Sequence, residues 1–399
     1  MNYWCQIIMN EEIDKITKKV QSMYKKYPYP SPSTDPSQTN ELLNLLKIFE
    51  LESIIKLEGK NILDAGTGSG HRITNVAEFY KKCNFLGIDV SKTSLQIAKQ
   101  LIKQKRITNL KLKNINLMNE FSEIGKFDII LCMGVLHHLS NPIKGLKNIK
   151  NVLEKDGIIF LYLYGKLGGH NRMLNKKLIS TLLGRDHSNY EKGIKIAREL
   201  NLNNFEYGWN LSFKNKKEED SLIVDYLLHA NEILYDFDEI EKLLKKSNLY
   251  GYAVFGITTG TEGLLFDSRY ESKVKLSIPQ TNISNILKTK FSKRYYESLN
   301  LKNQYRILEL LYEPNGYTII GFTKKAFENL TNKRLKENFI KLHTELKQYE
   351  DDPYERRAFL YLDILSWLES KIENKPIAEI IKAKAAMNLR QRKHSIAHL

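Results

Sequence analysis

The sequence predicts an α/β fold built on a mostly parallel sheet with an antiparallel edge strand and helical additions at both ends. Three segments predict it. Asn61-Ile62-Leu63-Asp64-Ala65-Gly66-Thr67-Gly68-Ser69-Gly70 is a short apolar strand that meets an acid and breaks into three alternate glycines. Phe85-Leu86-Gly87-Ile88 is a second apolar strand, closed by the acid Asp89. Ile129-Ile130-Leu131-Cys132-Met133, following Phe127-Asp128, is a continuous apolar run, the pattern of a strand buried on both faces.

The glycine loop carries the first chemistry. Glycine at 66, 68 and 70 lets the backbone turn sharply and come close to a ligand. The helix expected from about Arg72 to Tyr80 offers its N-terminal N–H groups to a polar ligand group. Asp89 lies nineteen residues past Gly70, where a carboxylate can accept both hydroxyls of a ribose. The dinucleotide fingerprint G-x-G-x-x-G is not met, because its third glycine would fall at His71.

Taken with Asp89, the D-x-G-x-G-x-G run from Asp64 to Gly70 resembles motif I of the class I S-adenosylmethionine (SAM) methyltransferases. Lys126 to Leu139, with Val135-Leu136-His137-His138 in the loop after the strand, is similar to that family's fourth strand and its following loop. Val152 to Gly157, leading into Ile158 to Gly165, is similar to its helix, tight turn and fifth strand, with Lys155-Asp156-Gly157 as a variant turn. The resemblance is firm from Asn61 to Gly165 and loose in the flanks. It implies a Rossmann-like sheet and SAM as cofactor, with a nicotinamide-binding domain as the alternative.

The same resemblance implies a site, residue by residue. Asp64, Gly66, Thr67, Gly68 and Gly70 form the cofactor loop, Asp89 and Val90 the ribose end, and Asn116 and Leu117 the adenine end, with Met133 beside them. The family usually has Asp where Asn116 stands, and the amide oxygen of Asn116 can still accept from an adenine amino group. Methyl transfer is an in-line displacement and needs no protein nucleophile, so orientation, water exclusion and sometimes a base supply the catalysis. His137 and Tyr164, at the carboxyl edge of the sheet, are the catalytic candidates, with a structural alternative for each: orienting the loop, or packing. His138 is expected to pack at the start of the next helix. No metal ligand set is expected.

The flanks divide the chain into 1–58, an N-terminal helical segment; 59–165, the cofactor core; 166–330, substrate-side insertions and the remaining strands; and 331–399, a helical appendage. Ile13, Ile16 and Val20 share a helix face between Glu11 and Tyr24. Tyr27-Pro28-Tyr29-Pro30-Ser31-Pro32 is extended, and its prolines forbid helix. It is expected to act as a lid through Tyr27 and Tyr29, or as a surface strap. Glu41 to Leu57 reads as a second helix. Helices near Met173 to Leu183 and Ser221 to His229 follow the core, then a helix capped by Asp236 or Asp238 and running to Lys246. His229 and Tyr235 are substrate candidates. Tyr252–Gly256 and Tyr317–Phe322 are the sixth and seventh strands, with an insertion of roughly sixty residues between them. From Ala326 onward the chain reads as amphipathic helix, with Leu360, Leu362, Ile364, Leu365 and Leu368 as its apolar positions, fitting docking or self-association.

Composition bounds the setting. The 399 residues are 42% hydrophobic, enough for a sizeable core, and the three cysteines have no metal spacing. No apolar run reaches eighteen residues, and Met1 to Cys5 does not read as a secretory signal, so a cytoplasmic protein off the membrane is expected. The net charge of +16 is spread through the helices, densest at Lys214 to Lys217 and Arg390 to Lys393. No nucleic-acid motif accompanies these runs, and Cys132-Met133-Gly134-Val135 replaces the N/D-P-P-Y motif of base-N-methylating members. A small-molecule or protein acceptor is therefore expected over nucleic acid. The YPYP segment and the Tyr-Gly ending the fifth strand also look similar to a bacterial group that includes rickettsial protein lysine methyltransferases. A SAM-binding regulator without turnover and an RNA methyltransferase are the remaining alternatives.

Overall fold

A computed structural model describes residues 3–32, 42, 43, 46, 57–186, 188–202, 215–249, 251–257, 262–267 and 287–328. The strands are β1 Asn61–Ala65, β2 Asn84–Asp89, β3 Leu110–Asn114, β4 Phe127–Met133, β5 Leu153–Tyr164, β6 Gly251–Ile257, β7 Glu262–Asp267 and β8 Gly316–Phe322. They form one sheet in the order β3-β2-β1-β4-β5-β8-β6-β7. β1 to β5 pair in parallel, while β8 runs antiparallel to both β5 and β6. The helices are α1 Tyr3–Lys26, α2 His71–Phe79, α3 Lys92–Gln104, α4 Pro142–Asn151, α5 His170–Leu183, α6 Tyr190–Glu199, α7 Lys216–Leu227, α8 Phe237–Lys246, α9 Lys290–Ser298, α10 Leu301–Tyr312 and α11 Lys324–Glu328.

The apolar strands are continuous because both faces of the sheet are covered. Leu63, Ile130, Cys132, Ile159 and Leu161 face Leu146 and Ile149 of α4 and Ile240, Leu243 and Leu244 of α8. The alternate residues Ile62, Ile129, Leu131, Ile158 and Phe160 face Ile73, Val76 and Ala77 of α2, with Leu42, Leu43, Leu46 and Leu57. A third core is purely helical. Met23 and Tyr27 pack with Ile179 of α5, Ile194 and Ala197 of α6, and Ile223, Val224 and Leu227 of α7. This helical cap follows directly from the carboxyl end of β5, so it sits over the edge where α/β folds bind ligands.

Two details differ from expectation. The turn at Lys155-Asp156-Gly157 lies within β5: Phe127 pairs with Leu153 while Ile129 pairs with Ile158, so residues 154–157 bulge out of register. A Cβ on Gly157 would come within 2.5 Å of Leu153 Cδ1, which is why glycine stands at the fold of the bulge. The second is β7, which pairs antiparallel with β6 and adds an edge strand inside the stretch expected to be an insertion. Its six residues begin and end on acids and include a glycine, a weak strand signal. The body of the helix expected over Glu41–Leu57, Lys214 of the first basic run, the tail run Arg390–Lys393, and everything from 329 onward, including Leu360 to Leu368, lie outside the described residues.

Candidate functional site

The glycine loop turns between β1 and α2 on hydrogen bonds from the Gly66 and Thr67 amides to the Ile88 carbonyl, at 2.8 and 2.9 Å. Gly66, Gly68 and Gly70 have φ of 89°, 55° and 78°, a region other residues enter only at a cost. Space is as demanding as conformation. A Cβ on Gly66 would approach Val135 to 2.3 Å, and one on Gly70 would meet Ala98 Cβ at 2.7 Å. The glycines thus let the loop after β4 and helix α3 close on the turn, in addition to opening it toward a ligand.

Asp89, at the carboxyl end of β2, is pinned by this loop. Its Oδ2 accepts from the Gly68 amide at 2.8 Å and its Oδ1 from the Ser91 amide at 2.7 Å. Each oxygen keeps a lone pair, and the group is only partly buried. Burial pushes its pKa up, and the backbone N–H groups of Ser91 and Gly68 oppose that rise. Asp64 is 5% exposed beneath the loop, and desolvation raises its pKa to about 6. Thr67 Oγ1 lies close enough to lower that value, yet it has no hydrogen bond of sound geometry and is buried.

On the far rim, Asn116 Oδ1 accepts from the Met118 amide at 2.9 Å, fixing the Asn116–Leu117 turn. Asn148 of α4 braces the same turn, its Nδ2 donating to the Leu117 and Asn119 carbonyls at 2.9 Å each. The amide oxygen of Asn116 is therefore already engaged on one lone pair. Val90 O accepts from Asn114 Nδ2 at 3.0 Å and Gln21 Nε2 at 3.5 Å. Met133 ends β4 half-buried, and the next residue, Gly134, has open space where a Cβ would stand. Asp128, one strand-length away, bonds Lys60 Nζ at 2.7 Å and the Asn61 amide at 2.8 Å, so that acid holds the opposite edge of the sheet.

The N-terminal segment crosses the glycine loop. Ser69 Oγ donates to the Pro30 carbonyl at 2.8 Å and accepts from His71 Nδ1 at 2.8 Å. The Tyr29 carbonyl would stand 3.0 Å from a Cβ on Gly68. Tyr29 thus lies at the loop, whereas Tyr27 is buried against Tyr190 of α6, ring centroids 5.7 Å apart. Tyr235 is buried as well. It is 5% exposed in the main core, and its backbone bridges Tyr164 O and Lys166 N at 2.9 and 2.8 Å.

Above the loop after β4 lies a buried polar cluster drawn from five separate segments. His137 is fully buried and stacks on Tyr164 with centroids 4.0 Å apart; neither ring nitrogen has a hydrogen-bond partner among the described residues. Burial holds it neutral, its pKa well below the usual histidine value. His138 lies in a short turn ahead of α4, whose N-cap is Asn141. Its Nδ1–H donates to the Asn231 carbonyl at 2.9 Å, its ring stacks on His229 at 3.6 Å, and burial lowers its pKa to about 4. His229 Nδ1 accepts from the Asn231 amide at 3.1 Å, which assigns its proton to Nε2, facing Tyr24 Oη at 3.1 Å. Tyr24 Oη in turn donates to Asp225 Oδ1 at 2.9 Å. Asp225 is 4% exposed, and desolvation raises its pKa to about 6. Arg172 lies over the Tyr164 ring at 4.5 Å and pairs with buried Glu232, which also takes Lys176 Nζ at 3.2 Å.

Sequence reasoning missed Tyr24, Asn148, Arg172, Asp225 and Glu232. One signal was available: Asp225 interrupts the apolar positions Ile223, Val224 and Leu227 of its helix, and an acid on a buried stripe calls for a partner.

The sheet order and the acid-pinned glycine loop at its carboxyl edge define a cofactor-binding α/β domain of the methyltransferase type. The family model described as a methyltransferase domain matches residues 56–182. Those residues are similar to methyltransferase domains, and SAM is the cofactor that the similarity implies. An uncharacterized protein of Rickettsia prowazekii is 35% identical over 39% of this chain and 62% of its own length. A tRNA U34 carboxymethyltransferase of Campylobacter fetus is 29% identical over 40% of this chain and 59% of its own. The chain spans about three fifths of the length of the curated relatives it matches. Among solved structures, PKMT2 from Rickettsia typhi superposes with a TM-score of 0.52 over 78% of this chain and 57% of that one, at 19% identity. The same protein in complex with AdoHcy gives 0.50 at 21% identity, over 79% and 57%. At these identities the likeness is one of fold. No described helix is long and apolar enough to cross a membrane.

The residues present fit this cofactor. Asp89 has lone pairs left for two hydroxyls, Thr67 Oγ1 is a buried polar atom awaiting a partner, and Gly134 leaves room beside Met133.

Proposed function

We propose that this chain transfers the methyl group of SAM to a small-molecule or protein acceptor held between the loop after β4 and the helical cap. The observation that carries the reading is Asp89, pinned by Gly68 and Ser91 with lone pairs still open at the carboxyl edge of a parallel sheet. When bound, the cofactor supplies a methyl carbon made electrophilic by its sulfonium sulfur.

The chain's own residues do the rest. Asp89 orients the ribose by accepting its hydroxyls, and the braced turn at Asn116 and Leu117 borders the adenine, with Val90 beside it. Thr67 and the glycine loop border the remainder of the cofactor, and Met133 lies under the reacting end. Tyr29 and the segment tied down by Ser69 limit water entry over the loop, an effect worth having wherever charge is neutralised in the reaction. The His137–Tyr164 stack forms a neutral floor for the acceptor, with the unmet nitrogens of His137 as the polar points on it.

The YPYP segment and the Tyr-Gly ending β5, similar to the rickettsial group, put a protein acceptor beside a small molecule in this reading, and the tRNA-acting relative keeps RNA as the second reading. The charge of +16 bears on that second reading only through dispersed lysines. Operation in the cytoplasm fits scattered cysteines, two of them buried as free thiols, and self-association remains part of the reading. The test is incubation of the full chain with methyl-labelled SAM and fractionated protein, metabolite and RNA pools. Label in protein or metabolite supports the proposal. Label only in RNA, with a binding affinity that falls steeply with salt, transfers it to the second reading. AdoHcy binding without labelling of any pool contradicts turnover and leaves a SAM-binding regulator.

A further inference from the structure

We propose that Asp225 is the base that takes the acceptor's proton during methyl transfer, with Tyr24 and His229 as the residues that position it. The inference rests on the methyltransferase reading above and concerns the acceptor half of the same site.

The hydrogen bonds run in one direction. The Asn231 amide occupies His229 Nδ1, leaving the proton on Nε2. That proton faces Tyr24 Oη at 3.1 Å, so the tyrosine hydrogen is directed at Asp225 Oδ1, 2.9 Å away. The chain of donors ends on a carboxylate, the only member able to accept a proton without breaking a bond in the chain. Asp225 Oδ2 has no hydrogen bond among the described residues. The carboxylate also lies where a base is needed. Tyr24 is close enough to Asp89, the ribose candidate, to feel its charge, and Asp225 shares a cluster with His138 from the loop after β4.

In the step itself, the acceptor's lone pair forms the new bond to the methyl carbon, whose former bonding pair leaves with sulfur. Oδ2 takes the hydrogen from the acceptor as a proton, the electrons of that bond staying on the acceptor atom. One positive charge is lost from sulfur and one proton is gained by Asp225. A cation nearby lowers a carboxylic acid's pKa, so the carboxylate is a weaker base while the sulfonium is intact and a stronger one once it is neutralised. Its basicity rises as the acceptor sheds its proton.

The same three groups, His138, Asp225 and His229, lie within 4.8 Å of one another and invite a metal reading. The hydrogen bonds oppose it, because His229 has one nitrogen occupied by a backbone donor and the other protonated toward Tyr24. The groups that bear on the charge of Asp225 are Tyr24 of α1, His138, Tyr164 of β5, and Arg172 and Lys176 of α5. Glu232, His229 and, from α2, Arg72 complete the set.

The experiment compares SAM with AdoHcy, which differ by the methyl group and its positive charge. Calorimetric titration of the full chain in buffers of different ionisation enthalpy reads the protons released on binding. At pH 6, where the Asp225 carboxyl is partly protonated, SAM is expected to release up to about half a proton more than AdoHcy, the excess vanishing by pH 8. Asp225→Asn should abolish the excess while still binding AdoHcy. Tyr24→Phe, which removes a donor to Asp225, should move the pH of maximal excess upward, a shift that loss of packing alone would not produce. Equal release for the two ligands overturns the base assignment and leaves the methyltransferase reading standing. Failure of the wild-type chain to bind either ligand overturns that reading instead. Excess release that persists in Asp225→Asn assigns the proton to another group, such as Asp64, and overturns the proposal. So does a Co2+ ligand-field band that is lost in Asp225→Asn.

Discussion

At the scale of single residues, Asp89 carries two loads that the sequence suggests only in part. Its position after β2 points to ribose recognition, while the structure adds that its oxygens hold the Gly68 and Ser91 amides. Removing it costs the cofactor contacts and loosens the loop that presents them. Charge-assisted hydrogen bonds contribute about 1.5–3 kcal/mol each, so Asp89→Ala is expected to weaken AdoHcy binding by about a hundredfold or more. Asp89→Asn, which keeps one acceptor oxygen, should lose less. Affinity unchanged in Asp89→Ala would contradict the ribose role. Asp64 poses a separate test. Its folded pKa of about 6 stands above the usual 3.8, so the native state holds a proton that the unfolded chain has released between those values. Its contribution to stability is present below about pH 4 and is lost as pH rises through 6, by roughly 3 kcal/mol at about 1.4 kcal/mol per unit. Chemical denaturation from pH 4 to 7 should therefore show Asp64→Asn gaining about 2.4 kcal/mol on the wild type, and a constant difference would contradict the raised pKa of this buried carboxylate.

At the scale of elements, the apolar strands and two helices of the cap, α5 and α7, were legible, whereas β3, β7 and α6 were not. β4 from Ile129 to Met133 and β5 from Ile158 to Leu161 read as apolar runs because helices cover both faces, and that signal needs no knowledge of partners. β7 was missed because its apolar core is three residues long. The polar cluster was illegible for a different reason. Tyr24 meets Asp225 across 201 positions of sequence and His229 across 205, so no local pattern announces the site. Helix α1 joins these regions. It buries Met23 completely among α5, α6 and α7 while its Tyr24 reaches into the polar cluster. Met23→Ala should cost about 2–5 kcal/mol locally and speed hydrogen exchange in 170–199 and 216–227, with β1 to β5 unchanged. Uniform loss of protection across the sheet would show that the cap is not a separate packing unit.

At the scale of the whole molecule, the two halves of the site obey different rules. The proposed cofactor half lies in one contiguous stretch, Asn61 to Met133, whose glycines, acids and strand ends keep fixed spacing, so its chemistry could be read from residues in order. The proposed acceptor half lies where residues of the helical cap meet that stretch, from residues that are ordinary in their own segments. Tyr27 and Tyr235 were drawn into the candidate list by position in sequence, and packing consigned both to hydrophobic cores. His137 is fully buried and stacked on Tyr164, so in the proposed site it is a floor group, and the neighbouring His138 faces the polar cluster. The central claim is that the loop from Asp64 to Gly70, closed by Asp89, holds an adenosylated sulfur cofactor and not a dinucleotide. Calorimetric titration of the full chain with AdoHcy and, separately, with NAD tests it most directly. One AdoHcy site per chain and no heat of binding for NAD are expected. Binding of NAD, or no binding of AdoHcy, would contradict it.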